Sequence, residues 1–153
     1  LGTFEGKKGV GLTKKEKEKE DSNSIISYAK SERENVSNYI TGAIFKTKVD
    51  NTHPLAFGSG DSYFTLKLGS NAFNYLEKGY TVSYLEDTKA VSGFAGHKAA
   101  ENIKNTLIFG EHPIGNGSMI YMVDNPMFRA FWENGKLFFA NAIFLVNNNS
   151  FEL

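Results

Sequence analysis

The sequence has no cysteine. That removes thiolate nucleophiles, disulfides and cysteine-ligated zinc, and it fits an oxidising compartment without demanding one. Net charge is also missing: 17 basic residues balance 17 acidic ones, so no global positive field points to nucleic acid or an anionic membrane. No apolar run is long enough to span a bilayer. The opening "LGTFEGKKGVGL" has neither a methionine nor a signal sequence, and it reads as the interior of a longer protein. No internal repeat occurs.

At 153 residues, 41% hydrophobic and 22% charged, the chain has the make-up of one globular domain with a real core. Aromatic residues reach 14%, with 13 phenylalanines, so many rings must be hidden in a core or against a partner.

Residues 1–21 are glycine-rich and then alternate in charge ("KKEKEKED"), the composition of a solvated, flexible segment; the domain proper is expected over 22–150. Ser22 or Ser24 can cap a helix whose Ile25, Tyr28, Ala29, Glu32, Val36, Tyr39 and Ile40 follow roughly helical spacing. "GAIFKTKV" (42–49) alternates Ile44, Lys46 and Lys48 against Phe45, Thr47 and Val49, as a strand with unlike faces does. Turn chemistry fills 50–61. Strands are expected at 62–68, 80–86, 106–112 and 118–123, and two helical turns over 97–105. "VSGFAG" reads as a turn-rich piece. The pair over 106–123 reads as a hairpin in which Asn116-Gly117 tolerates positive φ. Alternating strands and helices predict an α/β layered fold with part of its sheet antiparallel.

Catalytic signals are weak. His53, His97 and His112 form no His-x-x-Glu or His-x-x-x-His pair and read as turn or surface residues. Ser59 and Ser118 sit by glycines without a nucleophile elbow. "GNG" at 115–117 lies between strands, away from any helix dipole. No carboxylate pair stands out as an acid–base couple. Tyr63, Phe64, Tyr80 and Tyr84 could stack on sugars or bases but suit cross-strand packing better.

The block "DNPMFRAFWENGKLFFANAIFLV" (124–146) is the most distinctive. Asn125 suits an N-cap with Pro126 at the first helical position. Phe128, Phe131 and Trp132 fall at helical spacing, and Asn134-Gly135 can end this first helix. Arg129 sits in apolar company, and a buried guanidinium needs a partner. Asp124 or a nearby carboxylate or carbonyl is expected to hold it, fastening strand to helix, with an anion-binding Arg129 as the alternative.

Three stretches together, Gly42 to Phe45, Thr52 to Gly58 and Asp124 to Trp132, resemble the C-terminal, class I glutamine amidotransferase-like domain of bacterial zinc carboxypeptidases. The resemblance spans about 25–146. It implies a three-layer, flavodoxin-like sheet with flanking helices, incomplete at its N-terminus, leaving an exposed sheet edge through which a homo-oligomer could form. It implies a periplasmic or extracellular parent that carries its zinc in an upstream peptidase domain, so this chain needs no cofactor of its own. The Cys-His-Glu triad of amidotransferases has no counterpart here, since Thr3 and Phe4 stand near the nucleophile turn. The chain is therefore expected to be a non-catalytic accessory domain that supports the peptidase domain or binds substrate, peptide or glycan. The alternatives are a carbohydrate- or ligand-binding module and a hydrolase with a replaced nucleophile. Residues expected at a binding site or structural junction are His53, Asp124, Asn125, Arg129 and Trp132, with none catalytic and none a metal ligand.

Overall fold

The computed structural model describes residues 27–146. The expected caps Ser22 and Ser24, Ile25, the 1–21 segment and the Thr3–Phe4 turn lie outside the described residues. Helix α1 (Tyr28–Ser37) precedes strands β1 (Ile40–Val49), β2 (Ser62–Lys67), β3 (Tyr80–Leu85) and β4 (Ala90–Ala95). Helix α2 (His97–Asn102), strands β5 (Thr106–Ile114) and β6 (Gly117–Met122) and helix α3 (Glu133–Phe144) follow, with short 3-10 turns at Pro54–Ala56 and Phe128–Ala130. The α/β class expected from the sequence holds.

The sheet runs β2-β1-β3-β5-β6, with β4 also on β1. Every pairing is antiparallel. The antiparallel part foreseen at the 106–123 hairpin thus extends through the whole described sheet, and a parallel pair, the unit of a flavodoxin-like core, does not occur among the described residues. Strand β1 is the hub. One edge takes β2 from Ala43 to Lys48. The other takes β3 at Lys48 and Val49 and β4 from Ile40 to Phe45.

The faces of β1 are those its alternation predicts, with Ala43, Phe45, Thr47 and Val49 buried. On β2 the buried residues are Tyr63, Thr65 and Lys67, while Phe64 faces out. Beneath the sheet, Tyr63, Phe109 of β5 and Phe138 of α3 form a triangle of rings with centroids 4.7–5.1 Å apart. Leu55, Val82, Leu85, Ile103 and Ile108 are among the aliphatic residues packed with them in the core.

The sheet curls. Strands β2 and β6 stand at opposite ends of the strand order, yet Asp124, just past β6, meets Lys67 of β2. The same C-terminal segment protects the free edge of β2. Val49 N–H donates to Asp61 O, so alternate carbonyls of β2 face β1 and Phe64 O faces away. Trp132 Nε1–H and Asn134 Nδ2–H donate to it at 3.2 and 2.8 Å, which blocks an open backbone acceptor.

Three local expectations are corrected. "VSGFA" of "VSGFAG" belongs to strand β4: Gly93 adopts φ +86 and a Cβ there would lie 2.2 Å from Gly42 O, so the glycine allows backbone contact where a turn is expected. The hairpin turn is Gly115-Asn116, between the paired Ile114 and Gly117, with the positive φ at Gly115. The stretch after Pro126 is no helix: Arg129 and Ala130 have φ of +48 and +59, which ends the 3-10 turn. The helix then runs through the expected stop at Asn134-Gly135, because Gly135 lets it lie against Pro126, whose carbonyl a Cβ would meet at 2.2 Å.

Candidate functional site

Two polar clusters lie among buried apolar residues on the inner face of the sheet. The first is built around Asp124. Alternation on β2 places Thr65 and Lys67 on the same face as Tyr63. Lys67 is 1% exposed, and a buried ammonium demands a counter-charge. Asp124 supplies it, with Oδ1 and Oδ2 3.1 and 3.3 Å from Nζ, and Thr65 Oγ1 donates to the same carboxylate at 2.7 Å. The phenol of Tyr63 lies close by. Burial, and then the Asp124 charge, push its pKa up to about 12 against an opposing hydrogen bond from the Trp132 indole.

Asp124 is therefore a fastening residue, as expected, but its partner is Lys67 rather than Arg129. Arg129 is exposed, with its guanidinium carbon 5.2 Å from the Phe128 ring centroid. The left-handed backbone at Arg129 turns the side chain out of the junction. Asn125 does not cap a helix: its Oδ1 accepts the Met127 N–H at 2.9 Å, two residues on, a local turn. Trp132 reaches Phe64 O, as described above.

The second cluster centres on Glu111, 4% exposed, two residues beyond Phe109 on β5 and so on the same face. Ser118 Oγ donates to Oε1, and His53 Nε2 lies 2.9 Å from Oε2. His53 is in a turn, as the sequence suggests, but its side chain is only 9% exposed. Its ring lies 5.2 Å from that of Tyr80. Its Nδ1 accepts the Leu55 N–H at 3.1 Å. A nitrogen that accepts carries no proton, so the ring is the Nε2–H tautomer and donates to Glu111.

The two distinctive segments meet between these clusters. Asn141 of α3, 4% exposed, donates to Leu55 O at 3.1 Å and Phe57 O at 2.8 Å. "THPLAFG" is thus held at its start by His53 and along its carbonyls by the helix of the C-terminal block.

Chemically, the Glu111 cluster has the wrong order for nucleophile activation. A serine triad places the imidazole between serine and carboxylate, so that nitrogen removes the hydroxyl proton. Here the carboxylate is in the middle and both imidazole nitrogens are engaged. In the Asp124 cluster Thr65 is fully buried, out of reach of any substrate. The other histidines are elsewhere: His97 is exposed beside Glu101, and His112 Nδ1 lies 2.8 Å from Lys78 O. The four rings considered as a platform are also scattered. Tyr63 is core, Phe64 lies on the opposite face, Tyr80 packs on His53, and Tyr84 meets Tyr75 edge-on.

Lys67 and Glu111 carry no signal of their own in the sequence, and Asn141 shows only as a member of a helical stripe with Leu137, Ala140 and Phe144, in which it is the deeply buried one. The alternation of Tyr63, Thr65 and Lys67 could have raised Lys67, had the burial of that face been known. None of the protein-family models, curated proteins or solved structures matches the chain. Among the described residues, no helix is long and apolar enough to cross a membrane.

Proposed function

We propose that the chain is a non-catalytic accessory domain of a zinc carboxypeptidase, supporting a peptidase domain in the same polypeptide. The carboxypeptidase parent rests on the resemblance of the three stretches, and one observation supports the non-catalytic role: the polar side chains of the distinctive segments are directed at one another and at backbone rather than into a cavity. His53, Asn141, Trp132 and Asn134 hold carbonyls and amides of neighbouring segments, and Asp124 is engaged by Lys67 and Thr65. Such groups rigidify a scaffold and leave little to bind a reacting substrate. Zinc, in this reading, belongs to the peptidase domain.

The test has two arms. The chain alone, with zinc supplied, is assayed against peptides with free C-termini, and calorimetry follows zinc binding. No turnover and no stoichiometric tight site are expected. Turnover abolished by Ser118→Ala or His53→Asn would overturn the proposal. In the second arm, an isotope-labelled chain is mixed with the peptidase domain. A set of amide shifts confined to one exposed face is expected, and an unchanged spectrum at millimolar partner would count against the supporting role.

A further inference from the structure

We infer that His53 is a proton-operated latch: protonating its ring releases the 53–57 turn from the imidazole while leaving the ring held to β5. This inference is independent of the accessory-domain reading and stands on hydrogen-bond direction. In the neutral ring, Nδ1 accepts the Leu55 N–H and Nε2–H faces Glu111 Oε2. The imidazolium has two N–H donors and no acceptor. A proton taken from solvent onto Nδ1 would occupy the lone pair that Leu55 uses, and two donors would then face each other across 3.1 Å.

The other side of the ring responds oppositely. Nε2–H keeps its bond to Glu111, and a charged ring turns that bond into an ion pair between groups 9% and 6% exposed, which strengthens it. The charged and titratable groups facing His53 are few. Glu111 comes from β5, with Ser118 of β6 already donating to its other oxygen. Tyr80 of β3 offers its ring. Asp50, in the same turn, is kept below the ordinary carboxylate range by its bonds from Thr52 and adds a second negative charge. The Leu55 bond is compatible only with the neutral ring. The ring therefore has two arrangements, one bridging turn and sheet and one committed to the sheet.

What is released matters because the turn is held from two sides. Pro54–Ala56 begins at His53, Leu55 and Ala56 are fully buried, and Asn141 of α3 grips the carbonyls of Leu55 and Phe57. Losing the Nδ1 bond leaves the turn tied to β5 through the His53 ring and to α3 through Asn141, beside its own backbone bonds, so a loosening at Leu55 is felt at the Asn141 side chain.

The experiment is nuclear magnetic resonance of the 153-residue chain from about pH 8 to about pH 5, the range in which histidine changes charge. Long-range proton–nitrogen spectra should show the Nε2–H tautomer at the upper end. The Leu55 amide and the Asn141 side-chain amide should move with the same midpoint as the His53 ring. After correction for intrinsic exchange, Leu55 protection should fall about fivefold to tenfold, the equivalent of one hydrogen bond. His53→Asn keeps an acceptor for Leu55 through its Oδ1 and should flatten the response. An Nδ1–H tautomer at pH 8, a Leu55 amide indifferent to the ring's titration, or an equal response in His53→Asn would each overturn the latch. The tautomer needs only the unsubstituted chain, so the test survives a variant that does not fold.

Discussion

The Lys67–Asp124 pair offers the sharpest stability test, because its two members are unequally placed. Lys67 is 1% exposed and Asp124 is its only hydrogen-bond partner described, whereas Asp124 is 11% exposed along its side chain and also holds Thr65 Oγ1. Asp124→Asn leaves the ammonium buried without a counter-charge, the case in which breaking an ion pair costs about 3–5 kcal/mol. Lys67→Met fills the same space with an apolar chain and leaves a carboxylate that still accepts from Thr65 and reaches water, so about 1–2 kcal/mol is expected. In the double variant no buried charge remains at the site. It should be no worse than Lys67→Met, giving a coupling energy of at least about 3 kcal/mol, the loss in Asp124→Asn itself. A loss of 3 kcal/mol raises the unfolded fraction on the order of a hundredfold, and with a urea slope of about 1.5 kcal/mol/M lowers the midpoint by about 2 M. Trp132 is the chain's one tryptophan and reports from the junction itself, so urea unfolding by its fluorescence is the assay. If Asp124→Asn proves milder than Lys67→Met, or if the two losses simply add, the pair does not fasten the curl and the reasoning fails.

Ala130→Gly should stabilise the domain by about 0.5–1 kcal/mol, since Ala130 sits at φ +59 where an alanine is strained and a glycine is not; an unchanged or lower Tm would show that the strain is absent. Asn141→Ala should cost about 2–3 kcal/mol by leaving two carbonyls without their donor, and Asn141→Asp should cost more, because a carboxylate at neutral pH offers those carbonyls no proton; equal losses in thermal melts would argue against the donor role. Tyr63 holds its proton to about pH 12 in the fold but releases it near 10 when unfolded. Its contribution is therefore complete below about pH 10 and is lost as pH rises towards 12. Tyr63→Phe should remove that part of the alkaline decline in denaturant midpoint, and an identical decline in both proteins would refute the assignment.

The strands most readable in the sequence are those whose two faces differ in polarity. β1 shows its buried set directly, and β3, β5 and β6 carry enough β-branched and aromatic residues to be seen. β4 was hidden because it buries none of its side chains deeply, so no alternation marks it, and its glycine serves backbone contact rather than a turn. On β2, apolar Phe64, Leu66 and Leu68 suggest the wrong face for burial. The observed face carries Lys67, and it becomes affordable only with Asp124, 57 residues away. The junction residues were legible as a group, but not who would pair with whom. Arg129 would be the cation needing a partner on a helical backbone, but its φ is +48, and a left-handed conformation is not written in residue type outside glycine and asparagine. Glu111 stands in a run of buried residues on β5, and its burial depends on His53 and Ser118 arriving from other segments, which local pattern does not encode.

The reach of Asp124 across the curled sheet also has a meaning for the timing of synthesis. Lys67 leaves the ribosome 57 residues before the carboxylate that neutralises it, a delay of about 3–11 s at ordinary elongation rates. During that interval the inner face of β2 cannot close without trapping a bare ammonium. The inner face of β2 is expected to close around Lys67 only once Asp124 has emerged. A chain cut short before Asp124 would keep Lys67 without its counter-charge.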